Sequence, residues 1–278
     1  MSVTVMLGGD VAAVGPAIET AVHLTKRFGS TLTGLCAMPD PATASIYISG
    51  AETVVLGGAA IASMAEAQET QTERFKEAFK ATTDASGSWL HANFDRRVGS
   101  VALHGAVRAS LADAFVLPKE ATESNHGLNP VFEHVLMEAN LPLVLAPKTA
   151  KESDTCMIAW DGSPIAARAV KMHLPLIATY KHAIIAEHPG KVRHQWSPEC
   201  EDTKARLTEI LQEQRLDVTS ITLEGAVSKG LLDACAVHEV SMLVMGAYGH
   251  ARIGQMLFGG TTSKMLHSDA SPALALCH

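Results

Sequence analysis

Four glycines near the end of the sequence have the spacing of a loop that binds phosphate. Gly246 and Gly249 directly follow an apolar run, and Gly259 and Gly260 directly precede a helical pattern. Glycine tolerates positive φ angles and lets the main chain approach a ligand closely. Main-chain amides in such a loop, and in the first turn of the following helix, attract anions. The pattern therefore predicts a phosphate-binding loop between a buried strand and a helix N-terminus.

Four side chains of this segment could add polar contacts to the phosphate. Thr261 and Thr262 could donate their hydroxyls to phosphate oxygens or bind a magnesium ion, and they could equally cap the helix that follows. His250 and Arg252 could pair with a phosphate, or they could be solvated loop residues. The residue types alone leave both interpretations open.

Asp161 is the second candidate for ligand contact, because it ends another apolar run. Its carboxylate could contact a bound ligand, or it could form a turn before Pro164, a residue that favours helix starts. Trp160 could lie against a flat base, or it could simply fill the strand end. Three neighbouring strand-end positions complete the predicted set of cofactor-binding residues: Ala159, Glu187 and Met245.

These motifs together resemble the universal stress protein family. Besides the glycine loop, the resemblance rests on Asp161-Gly-Ser163, on Leu223-Glu-Gly225 and on the apolar run Ser271–Leu276. It covers residues 155–278 well and residues 1–148 in outline. It implies that ATP, AMP or ADP is bound, with Asp161 contacting the nucleoside part. One difference matters, because the family's Ser or Thr after the third glycine is Gly260 here, which predicts weakened ATP binding.

The composition restricts the class of protein. The chain has 278 residues, 47% hydrophobic and 18% charged, with a net charge of −7. This length suits two ordinary domains, and the acidic balance argues against a broad basic face for nucleic acid or for an anionic membrane. The five cysteines are scattered and predict reduced thiols, hence a cytoplasmic protein without a structural metal. The start of the sequence does not resemble a signal peptide.

Strand and helix patterns alternate twice along the chain, which predicts an α/β fold. We expect two tandem doubly wound, mostly parallel five-stranded sheets of Rossmann-like type, similar to adenine nucleotide alpha-hydrolases and packed as a pseudo-dimer. The first domain would span 1–148 and the second 154–278, joined by a polar linker. A shift of 130 positions superimposes Pro142 on Pro272, which supports an internal duplication.

The same shift predicts that only the second domain keeps the nucleotide site. It places Gly249 on Lys119 and Gly260 on Pro130. Proline has no amide hydrogen and a fixed φ angle, so it cannot replace a glycine that cradles phosphate. The first domain is therefore expected to be degenerate at this site, with Gly8-Gly9-Asp10 as its nearest equivalent of Asp161-Gly-Ser163.

The sequence then predicts a tandem universal stress protein that binds an adenine nucleotide in its C-terminal domain and acts as a stress-response sensor without dedicated catalysis. Binding would order residues 246–262, and a protein partner of unknown identity would read the changed surface. No nucleic acid or membrane is expected as a partner, and the chain could form a homodimer. Two alternatives stay open: a scaffold with both sites lost, and a weak ATP hydrolase. A metal site at His188, His194 and Cys200 is not expected, because their spacing does not suit zinc.

Overall fold

The chain forms two units. The computed structural model describes residues 1–43, 58–190, 202–248 and 260–278. The contacts within it divide the chain into Met1–Val135 and Leu136–His278. This division lies earlier than the predicted boundary between 148 and 154.

The first unit contains a parallel sheet with helices between its strands. Its strands lie in the order β3-β2-β1-β4. They are β1 (Ser2–Leu7), β2 (Thr31–Met38), β3 (His91–Val98) and β4 (Ala114–Leu117). Its helices are α1 (Gly15–Phe28), α2 (Gly58–Ala85), α3 (Val101–Ala109) and α4 (Asn129–Glu133). The central strand β1 is buried from Val3 to Leu7, so it forms the middle of the core.

The ends of these helices follow local chemistry. Gly29 ends α1 in the left-handed conformation, with φ 57°. Ser100 caps α3, which ends at Ala109. Helix α4 is short, because it changes into a π-helical turn at His134.

The second unit contains a larger sheet, in the order β5-β10-β9-β6-β7-β8. Its strands are β5 (Leu143–Leu145), β6 (Thr155–Trp160), β7 (His182–Glu187), β8 (Asp217–Thr222), β9 (Met242–Gly246) and β10 (Ala273–Cys277). Its helices are α5 (Pro164–Ile177), α6 (Thr203–Glu213), α7 (Val227–Val237) and α8 (Thr261–His267). All pairs are parallel except β5 with β10. The described residues include no helix that is long and apolar enough to cross a membrane.

Strand β5 explains where the chain divides. It pairs with β10, with Leu143 opposite Leu276 and Leu145 opposite Leu274. This pairing agrees with the division after Val135, which assigns β5 to the second unit, whereas the sequence assigned it to the first domain. The α/β class with mostly parallel sheets is confirmed.

Strand order reverses at β6, which lies between β7 and β9. Crossovers between parallel strands are right-handed, so connections that run in opposite directions along the sheet place their helices on opposite faces. The helices diverge at such a reversal and leave a crevice outside the carboxyl ends of the strands, where α/β proteins bind ligands. In the second unit this position lies at the ends of β6 and β9. In the first unit the corresponding position lies at the ends of β1 and β4.

Candidate functional site

The carboxyl ends of β6 and β9 bring two predicted regions together. Ile158 is paired with Val244, so the residues that follow both strands leave the sheet side by side. Trp160 is 6% exposed and Met245 4% exposed, so both side chains mainly fill the core. Ala159 is part of the same strand as Trp160. The predicted residues at the strand ends therefore meet at the reversal of strand order.

Asp161 forms the turn that leads from β6 into α5. Its Oδ1 accepts a hydrogen bond of 2.9 Å from the Ser163 amide, and Gly162 between them has φ 72°. Ser163 then caps α5, because its Oγ accepts from the Ala166 amide at 3.1 Å. The turn is thus one role of this carboxylate. Contact with a nucleoside stays a prediction.

Gly246 packs against the first turn of α5. A Cβ atom at this position would lie 2.6 Å from Ile165 Cγ2 and 3.1 Å from the Ile165 carbonyl carbon. Ile165 Cγ2 is attached directly to the Cβ atom of a β-branched side chain, so a residue larger than glycine would push β9 and α5 apart. The contact joins the end of β9 to a helix N-terminus, which carries a partial positive charge and attracts anions.

The loop after Gly246 is described at its two ends. At the first end, Ala247 is buried, and Tyr248 has φ 58°, which is unusual for a residue with a side chain. Four predicted contact residues lie outside the described residues: Gly249, His250, Arg252 and Gly259. At the other end, Thr261 and Thr262 form the first turn of α8 and are partly exposed.

Gly260 is the N-cap of α8, the position where a helix commonly carries a Ser or Thr. It has φ −73° and ψ 160° and provides no side-chain bond to the helix amides. A Cβ atom added to it would meet nothing within 4 Å among the described residues. The N-cap of α8 therefore lacks the hydroxyl that the sequence indicated, and the described residues leave space for one.

Glu187 forms an ion pair that the sequence did not predict. The residue ends β7 opposite Trp160, and its carboxylate pairs with the Lys204 ammonium group of α6. Its side chain is only 14% exposed. Lys204 lies in a helix and Glu187 in a strand, and no local sequence pattern links the two residues. The negative charge of Glu187 is thus balanced within the protein.

In the first unit, two side chains pack against the glycines that follow β1. A Cβ atom at Gly8 would lie 2.7 Å from Leu128 Cδ2, and one at Gly9 would lie 2.1 Å from His126 Nε2. The Leu128 amide donates to His126 Nδ1, so Nε2 carries the proton of the neutral ring. Both side chains come from the segment between β4 and α4. They pack against Gly8 and Gly9 where these residues follow β1, and on another side Gly9 lines a cavity of about 410 Å³ with Asp10 and Arg74.

Burial shifts the pKa of several thiols and of one imidazole in the fold. It raises the pKa of the Cys36 thiol to about 11 and that of Cys235 to about 12, so both stay protonated at neutral pH. It lowers the pKa of His173 to about 4, and His173 Nε2 donates to the Leu276 carbonyl oxygen at 3.0 Å. The described part of the chain holds no group of three or more His, Cys, Asp or Glu residues that could bind a metal.

The second unit is therefore a doubly wound, mostly parallel α/β domain with a strand, a glycine and a helix N-terminus at its reversal point. Residues 152–275 match the sequence profile of the universal stress protein family. The match confirms the predicted resemblance over residues 152–275. No curated protein sequence was found to match the chain.

Solved structures show that the fold likeness extends over the whole chain. A universal stress protein from Archaeoglobus fulgidus DSM 4304 is 14% identical, covers 99% of this chain and 95% of its own, and gives a TM-score of 0.64. A protein of unknown function from Pseudomonas aeruginosa PAO1 is 16% identical over 99% of this chain and 92% of its own, with a TM-score of 0.50. A universal stress protein solved in complex with cAMP is 17% identical, covers 45% of this chain and 96% of its own, and gives a TM-score of 0.34.

Proposed function

We propose that the second unit binds an adenine nucleotide, ATP or its di- or monophosphate, and acts as a regulatory module in the stress response. The nucleoside would lie beside Asp161, and the phosphates would bind main-chain amides between Gly246 and Thr262, with magnesium as a possible counterion. The family match at residues 152–275 supports the ligand class.

One observation carries this proposal: the close contact between Gly246 and the first turn of α5. The contact holds the end of β9 against a helix N-terminus at the reversal of strand order. Amides and a helix N-terminus that are fixed before binding need no reorganisation when an anion arrives. The partial positive charge of this helix N-terminus therefore favours an anion such as polyphosphate.

The first unit supports an asymmetric assignment. His126 and Leu128 pack against its glycines, and Pro118 follows β4 where Ala247 follows β9. A nucleotide would have to displace both side chains to occupy the space that they fill beside Gly8 and Gly9. We therefore assign one nucleotide to each chain.

A scaffold that binds no nucleotide is the second candidate, and Gly260 favours it. The N-cap hydroxyl that would add a contact to phosphate is missing at this position. A protein partner would then recognise the same surface whether or not nucleotide is present. The two functions differ in what a titration with nucleotide measures.

Calorimetric titration of magnesium ATP into the whole chain separates these candidates. The nucleotide proposal predicts about one site per chain, and Gly246→Ala should remove the heat because its Cβ would force β9 away from α5. Gly15→Ala is the matched control, since nothing lies within 4 Å of a Cβ at that helix position. Thermal unfolding checks that both variants fold. No heat with the unmodified protein at millimolar ATP supports the scaffold.

A further inference from the structure

Ala247 follows Gly246, and both of its main-chain polar groups form hydrogen bonds. One bond joins it to Cys277, the last residue of β10, and the other joins it to His278. The Ala247 amide donates to the Cys277 carbonyl oxygen at 2.8 Å. The Ala247 carbonyl oxygen lies 3.0 Å from His278 Nδ1. A carbonyl oxygen can only accept a hydrogen bond, so Nδ1 must be the protonated ring nitrogen here. Ala247 itself is 0% exposed, so its carbonyl oxygen is shielded from water.

The bond from His278 fixes the direction in which the loop starts. A trans peptide is planar, and its C=O and N–H groups point in opposite directions. Holding the Ala247 oxygen therefore also sets the direction of the Tyr248 N–H. Tyr248 has φ 58°, a conformation that residues with a Cβ adopt only when their surroundings require it. The two hydrogen bonds of Ala247 help to hold Tyr248 in this conformation.

Arg168 holds His278 in turn. Its Nη1 donates to the His278 carbonyl oxygen at 2.8 Å. Arg168 belongs to α5, the helix whose first turn packs against Gly246. One helix thus fixes the end of β9 by direct packing and the following peptide through His278.

We infer that His278 is a positioning residue for the nucleotide-binding loop. It orients the peptide between Ala247 and Tyr248, and thereby the Tyr248 amide, without itself touching the nucleotide. This inference rests on the proposed function for its effect on ligand affinity. The orientation of the peptide is also measurable without ligand, so the two can fail separately.

An uncharged pair of variants isolates the hydrogen bond. Asn places an amide nitrogen at the position of His Nδ1, and Leu has the same branching without a donor. His278→Asn should therefore keep the affinity for magnesium ATP within about twofold of the unmodified protein, whereas His278→Leu should weaken it about three- to tenfold, as expected for one lost hydrogen bond. Neither variant adds a charge near the phosphates.

Amide hydrogen exchange in the ligand-free chain gives the second readout. His278→Leu should speed exchange at Ala247 and Tyr248, and His278→Asn should leave it close to that of the unmodified protein. Faster exchange in the Leu variant without any ATP heat in the unmodified protein would support the positioning role and refute the nucleotide proposal. Equal exchange in all three proteins, or equal ATP affinity in the Asn and Leu variants of a protein that binds ATP, would overturn the inference.

Discussion

Gly260→Ser should strengthen nucleotide binding. Gly260 is the N-cap of α8, and its φ of −73° and ψ of 160° are accessible to serine without strain. No atom of the described residues lies within 4 Å of a Cβ at this position, so none of them obstructs a serine side chain. The new hydroxyl would lie at a helix N-terminus on the loop that we propose to bind phosphate.

The expected size follows from the two roles of the hydroxyl. Exchange of glycine for serine at an N-cap changes helix stability by only a few tenths of a kcal/mol. A hydrogen bond to a charged group contributes roughly 1.5–3 kcal/mol, which corresponds to about 10- to 100-fold tighter binding. The gain in affinity should therefore greatly exceed any gain in stability.

Calorimetry with magnesium ATP measures the affinity, and thermal unfolding without ligand measures the stability. Gly260→Ala is the matched control, because it adds the Cβ atom and the main-chain restriction without the hydroxyl. If the serine and alanine variants bind ATP with equal affinity, the hydroxyl does not reach phosphate and the placement of the loop is wrong.

Three further predictions address the parts around the site. Gly9→Ala should destabilise the first unit, because φ is 80° and the Cβ would meet His126, yet ATP affinity should stay unchanged; a large loss of affinity would place nucleotide in the first unit. Asp161→Asn should keep the turn to Ser163 and the unfolding temperature but weaken ATP binding, and unchanged affinity would leave this residue with the turn alone. The pKa of His173, about 4 in the fold against 6.5 ordinarily, means that the unfolded chain binds a proton first; stability is complete above pH 6.5 and falls by about 2 kcal/mol near pH 5. His173→Gln should remove this part of the acid sensitivity in urea unfolding, and identical losses in both proteins would contradict it.

Local patterns predicted much of the second unit. Apolar runs predict strands at 155–160, 182–187 and 273–277, and helical patterns predict helices at 227–237 and 261–267; strands β6, β7 and β10 and helices α7 and α8 have these bounds. Each consists of an apolar run or a helical pattern bounded by turn residues, so neighbouring positions contain the information. Local patterns also predict that Gly246 ends a strand and that Gly260 precedes a helix, as the structure shows.

Long-range contacts could not be predicted in the same way. Strand β5 is three residues long, and nothing in Leu143–Leu145 indicates that it pairs with β10. The contact between His126 and Gly9 joins positions more than a hundred residues apart. The bond from His278 to Ala247 also depends on tertiary packing, since a single histidine after a strand carries no pattern.

Photolabelling with 8-azido-ATP tests the central claim most directly, because it reports where the adenine ring lies. After irradiation of the whole chain and proteolysis, the account predicts ATP-protected label on peptides from residues 155–278 and none on residues 1–135. Label on the first unit that excess ATP removes would contradict the account, whatever the second unit shows.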